Sequence, residues 1–258
     1  PGSVQTIGEY AFCGCNSLAG VTISRGVQTI GERAFSVCTS LASVTIPDGV
    51  QTIGKHAFYG CKLLASVTIP SSVKTISESA FEDTSLVRVT IPDGVQTIGW
   101  GAFCGCKSLA SVTISSSVQR IGEYAFCGCK SLTGVTIPDS VQTIGKGAFK
   151  DCTLFTSVSI PDSVNTIDES AFYGCTSLAS VTISRGVKRI DKFAFYNCKS
   201  LASVVIPRSV TYIDSYAFTN CNPNLKIQYD GTKAQWNAIS GDKPKATIQC
   251  SDGEVVVK

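Results

Sequence analysis

Thirteen cysteines and one histidine are the residues of this chain best suited to chemistry. Nine cysteines form one recurring column: Cys15, Cys38, Cys61, Cys106, Cys129, Cys152, Cys175, Cys198 and Cys221. Three more, Cys13, Cys104 and Cys127, precede members of that column in C-G-C triplets. A four-thiolate metal site needs two cysteine pairs at coherent spacing, and C-G-C is only a weak signal for one. His56 stands alone, so no two-His metal pair can be assembled within the chain, and in a slot expected to face solvent it reads as a surface histidine rather than a catalytic base. The carboxylates fall mostly in Pro-Asp-Gly and Pro-Asp-Ser turns, and none is singled out as an acid–base pair. The residues therefore predict no catalysis, no cofactor and no metal.

What places these groups is a repeat. An Ala-Phe pair recurs with Phe at 12, 35, 58, 81, 103, 126, 149, 172, 195 and 218, at intervals of 23 except for one of 22 before Phe103. The short coil reads FEDTSL at 81–86 and lacks the cysteine. A period of 23 lies in the ~20–29-residue range in which each repeat is one turn of a leucine-rich solenoid. Within each unit, L-x-x-V-T-I reads as a short strand, with Leu41, Val44 and Ile46 inward and Ser43 and Thr45 outward by the period of two. Proline at 47, 70, 92, 138, 161 and 207 ends the strand, because it has no N–H to give the ladder. V-x-x-I follows as a second extended segment, glycine then permits a bend, and A-F-x-x-C makes a tight, helix-like turn. The predicted fold is a β-rich leucine-rich repeat solenoid: a curved, right-handed stack of about ten coils with short parallel strands and a C-terminal cap. Residues 1–221 form the array. Residues 222–258 form the cap, read as a final strand, a helical turn or two with Trp236 and Ile239 on one face, and a hairpin about Asp252-Gly253.

The outward strand positions form two columns of small polar side chains. Ser43, Ser66, Arg88, Ser111, Ser157 and Ser180 make one, and Thr45, Thr68, Thr90, Thr113, Thr136 and Thr182 the other. This is the candidate binding face, able to hold an extended protein or glycan through many weak hydrogen bonds. Arg88 interrupts the serines in the shortened coil. Arg185, Lys188, Arg189 and Arg208 form a candidate basic patch suited to acidic proteins or sulfated glycans. Cys104 and Cys127 occupy equivalent positions in adjacent coils, and stacking brings them into disulfide range. They are the candidate disulfide, whereas the nine-membered column is expected to remain reduced and to pack as small hydrophobes. His56 is expected on the surface.

Bulk properties narrow the partners. A net charge of +3 argues against nucleic-acid binding. No apolar run nears the ~20 residues that span a bilayer, so membrane insertion is not expected. The chain begins at Pro1 within a repeat, since PGSVQTIG matches PDGVQTIG at 47–54, and reads as a piece of a longer protein.

The pattern C-x-S-L-x-S-V-T-I-P-x-S-V-x-x-I-G-x-x-A-F resembles the BspA-like leucine-rich repeat family over residues 1–221. Y-D-G-T-K-A-Q-W-N-A-I at 229–239 resembles the cap closing such arrays. In such repeats the cysteine position holds an inward-facing Asn or Cys. The resemblance implies a secreted or cell-surface protein of a host-associated bacterium or a parasitic protist. It also implies adhesion to host or matrix proteins and cell-to-cell attachment as the role; taken with the hydroxyl face and the lack of a catalytic constellation, a protein or glycan ligand and no enzyme activity are expected. A monomer is expected, and a structural spacer or self-associating rod is the alternative.

Overall fold

The computed structural model describes residues 2–241, 244 and 246–256. It is a parallel β-solenoid of about ten turns with little helix. Each coil contributes a two-residue Thr-Ile-type strand, a hydrogen-bonded turn around Ala-Phe and, in most coils, a three- or four-residue strand of the Ser-Val-Thr-Ile type.

The two strand types build different sheets. The Thr-Ile segments, from Thr6–Ile7 to Tyr212–Ile213, form one continuous ten-stranded parallel sheet in register, Ile30 beside Ile53 and Ile167 beside Ile190. The longer strands break into three sheets: Gly20–Thr22 to Ser66–Thr68, Arg88–Ile91 with Ser111–Ile114, and Ser157–Ile160 onward through the cap. The first break falls at the coil one residue short. The second falls at 134–137, where only a bridge from Gly134 to Ser157 remains. Gly134 stands there in place of serine, and glycine weakens a strand interior.

Side chains stack as ladders inside. Phe35, Phe58, Phe81, Phe103, Phe126, Phe149, Phe172 and Phe195 are fully buried. Successive rings from Phe12 to Phe218 lie parallel; Phe103 and Phe126 are 5.4 Å apart between centroids and tilted by 4°. Ile53, Leu41, Val50 and Ala57 extend parallel apolar columns, and Phe155 replaces leucine in one of them. The first coil lies open, with Phe12 39% exposed.

The turns are not helical. The bend is not made by the glycine after isoleucine but by left-handed residues, two in every coil up to that of Phe195 and one, Asn220, in the coil of Phe218. One precedes Ala-Phe, as in His56 (φ 52°), and the other lies two residues after Phe. The second column reads Gly14, Val37, Gly60, Asp83, Gly105, Gly128, Asp151, Gly174, Asn197 and Asn220, all with positive φ. These are the residue types that tolerate this region, except Val37. Between these bends alternate amides bond onward to the next coil, Phe58 N–H to Ala80 O at 2.8 Å and Gly60 N–H to Glu82 O at 2.9 Å. The turn backbone is thereby satisfied in a buried setting.

At the far end Lys226–Tyr229 continues the stack, and a short helix, α1 (Lys233–Ala238), follows. Thr232 caps it: its hydroxyl accepts from Gln235 N–H, and Gln235 Oε1 accepts from Thr232 N–H at 2.9 Å. Trp236 is fully buried, edge-on to Tyr229 at 5.3 Å. Thr247–Cys250 adds one parallel strand, and Gly253–Val256 closes the sheet with an antiparallel one. Asp252 accepts from Lys233 N–H at 2.8 Å and ties this hairpin to α1.

Candidate functional site

The outward strand positions converge on one exposed surface. Ser43, Thr45, Ser66, Thr68, Arg88, Thr90, Ser111, Thr113, Thr136, Ser157, Ser180 and Thr182 are all solvent-exposed. Parallel register aligns them: Arg88 lies beside Ser111, Thr90 beside Thr113, and Ser180 between Ser157 and Ser203. The inward valines between them are buried or half-buried, so the alternation separates hydroxyl face from core. Thr136 differs from the expectation. It is exposed but sits in the coil whose strand is interrupted, so its backbone is not held in the ladder.

Towards the cap the surface changes character. The threonine column continues as Val205, Gln228 and Gln249, and the serine column as Ser203, Lys226 and Thr247. Together with Glu254 these side chains line a cavity of about 800 Å³. Val205 is 45% exposed there, an apolar spot among amides, hydroxyls and one charge of each sign. The sequence reading missed the cap half of this cavity. Its signal was present, because Lys226 and Gln228 sit in the strand LKIQY at the same alternating positions.

All four residues of the candidate basic patch are exposed. Arg185 lies 3.8 Å from Asp230. Arg189 donates to Asp191 at 2.9 Å and lies over the Tyr212 ring at 4.2 Å. Lys188 and Arg208 are exposed. Two of the four charges are thus partly answered within the chain.

The cysteine column is a hydrogen-bonded ladder of free thiols. Cys61 Sγ donates to Phe35 O at 3.1 Å, Cys152 to Phe126 O at 3.2 Å and Cys198 to Phe172 O at 3.3 Å, each reaching the preceding coil. Burial pushes the Cys61 thiol up to about 12 and Cys106 up to about 11. Such groups are inert at neutral pH. In the short coil Thr84 takes the cysteine's place, 2.9 Å from Phe81 O and 3.2 Å from Cys106 Sγ. The missing residue therefore lies after position 84. Cys104 and Cys127 are free and half-buried. The neighbouring Cys127 thiol, with burial, pushes Cys104 up, while the Cys104 thiol pulls Cys127 down.

His56 is half-buried rather than freely exposed. It packs edge-on to Tyr59 at 5.8 Å, and its Nδ1 is buried without a partner. Ser79, in the equivalent slot, is fully buried, so that slot does not simply face solvent. Among the described residues no group of three or more His, Cys, Asp or Glu is placed to hold a metal ion. Among the described residues no helix is long and apolar enough to cross a membrane.

Comparison with known proteins agrees with this geometry. Six copies of the BspA-type leucine-rich repeat region match residues 1–110 and 96–225. The chain belongs to the BspA-type leucine-rich repeat family. A leucine-rich cell-surface protein of Faecalibacterium prausnitzii superposes with a TM-score of 0.59 at 35% identity, over 93% of this chain and 73% of that one. A leucine-rich repeat protein of Bacteroides ovatus gives 0.53 at 25% identity, over 94% and 87%. The leucine-rich repeat protein of T. pallidum gives 0.51 at 28%, over 73% and 72%. Among curated proteins none matches. Repeat solenoids of this kind typically offer extended surfaces for binding rather than a catalytic cleft.

Proposed function

We propose that this BspA-type array is a non-catalytic, cell-surface or secreted binding protein that adheres to a protein or glycan through its strand face. One observation carries the reading: two columns of exposed, mostly hydroxyl side chains, aligned within each of the three strand sheets, run along the array, and the last sheet leads into the cavity bounded by Val205, Gln228 and Gln249. A ligand laid along them would meet equivalent donors and acceptors from coil to coil. Many weak contacts in register sum to useful affinity, and the cavity supplies a terminal pocket for specificity. The bacterial cell-surface relative supports the location.

The test is binding of the monomeric protein to immobilised matrix proteins and glycans, beside the Thr113→Lys/Thr182→Lys variant. Saturable binding lost in the variant supports adhesion through this face. Absence of saturable binding favours the alternative, a spacer rod, which the near-identical ladders of successive coils would also serve.

A further inference from the structure

Opposite in character to the hydroxyl face is a cluster of rings at the turns of the last three coils. Tyr173 and Tyr196 stack at 5.0 Å and 10°. Phe193 meets Tyr196 edge-on at 5.3 Å and Tyr216 at 5.4 Å. Tyr216 is 49% exposed, and Tyr173, Phe193 and Tyr196 are half-buried. None belongs to the internal ladder. Phe193 is the one phenylalanine of the chain outside the core columns, and it sits at φ 59°, a backbone region unfavourable for a bulky side chain. The equivalent slot holds Gly101 and Gly147 in coils that fold equally well, so the solenoid does not require a ring there.

Charge accompanies the rings. Lys150 lies over Tyr173 at 5.0 Å, and Lys192 lies over Phe193 at 4.9 Å and over Tyr216 at 5.5 Å. Among the described residues neither lysine makes an ion pair. The neighbouring carboxylates are mostly engaged: Glu169 with Lys146, Asp191 with Arg189, and Asp214 with the Tyr212 hydroxyl and Tyr216 N–H. Asp151, next to Lys150, is the exception. Each of the four rings thus has a face already occupied by a lysine or a stacked ring, and the Tyr196 hydroxyl accepts from Asn220 at 2.7 Å. Aromatic edges carry the positive end of the ring quadrupole. Sugars would need open ring faces. Carboxylates need positive edges and cations, and tyrosine-rich clusters with basic neighbours are the composition of protein-binding hot spots.

We infer that Tyr173, Phe193, Tyr196 and Tyr216, with Lys150 and Lys192, form a second interaction surface, separate from the strand face, that takes an acidic polypeptide segment carrying aromatic anchors. A random glutamate–tyrosine copolymer is a direct probe, with polyglutamate of equal length and heparin as controls, all measured by biolayer interferometry on the whole chain. The copolymer is expected to bind at least about ten-fold more tightly than either control, since charge alone supplies only part of the contact. Phe193→Gly/Tyr216→Ser should lose about ten-fold or more of that affinity, while Thr113→Lys/Thr182→Lys leaves it unchanged. Lys192→Glu, at an exposed position, provides a second variant that leaves all four rings in place, and it should weaken binding to a similar extent. The inference is overturned by equal binding of polyglutamate or heparin, by unchanged affinity in both ring and lysine variants, or by no binding of the copolymer.

Discussion

Truncation of the phenylalanine ladder should depend steeply on position. Phe126 is fully buried and stacks at 5.4 Å on Phe103 and 5.5 Å on Phe149. Its burial is worth roughly 1.5–3 kcal/mol, and each stacked pair adds about 0.5–1.5 kcal/mol. Neighbouring coils cannot collapse into the gap without breaking the amide ladders on either side. Phe126→Ala should therefore cost about 3–5 kcal/mol. Phe12 is 39% exposed and has one stacked neighbour, Phe35 at 5.1 Å. Phe12→Ala should cost about 1 kcal/mol, because part of its area is already in water and one pair is missing. Urea titrations of the two variants followed by far-ultraviolet circular dichroism give the comparison. An interrupted one-dimensional stack also unfolds less cooperatively, so Phe126→Ala should broaden the transition. Equal losses at the two positions would refute the view that contacts between neighbouring coils hold the array together.

Other expectations follow from the same geometry. Val37 is the one β-branched residue in the left-handed column (φ 58°), so Val37→Gly or Val37→Asn should raise stability by about 1 kcal/mol, read as a higher urea midpoint. The buried thiols should make the protein sensitive to alkali. In the unfolded chain they ionise near 9.0, whereas Cys61 and Cys106 hold their protons to about 12 and about 11 when folded. Their contribution is therefore complete below pH 9 and falls as pH rises towards 11–12, at about 1.4 kcal/mol per thiol per pH unit. Melting temperature against pH under reducing conditions would show this, and a flat profile from pH 9 to 11 would contradict it. Oxidised glutathione should join Cys104 to Cys127 and spare the inner column, giving one inter-coil cross-link by peptide mass spectrometry of the unreduced protein.

Much of this architecture is legible in the sequence because one coil, once understood, repeats. The period of 23, the strand alternation and the Phe and Cys columns all describe contacts between equivalent residues, and stacking makes equivalence the same as proximity. What escaped reading depends on contacts between non-equivalent residues. Which of the two strands forms the unbroken sheet depends on how one short coil and Gly134 disturb the register locally. The role of Thr84 as stand-in for a cysteine depends on where a missing residue is absorbed. The ring cluster joins two different slots, the residue before Ala-Phe and the residue after it, and these meet only because two left-handed bends fold the turn back. The glycine, asparagine and aspartate column two residues after Phe was a readable sign of one of those bends.

The most direct test of the functional account sets three proteins side by side on the same panel of immobilised matrix proteins and glycans: the native chain, Thr113→Lys/Thr182→Lys and Phe193→Gly/Tyr216→Ser. Thr113 and Thr182 are exposed on separate strands of the hydroxyl face, so lysine there should block the surface without disturbing the core. The account predicts saturable adhesion by the native chain, retained in the ring variant and lost in the threonine variant. Adhesion that survives in the threonine variant would contradict it and remove the strand face as the adhesive surface.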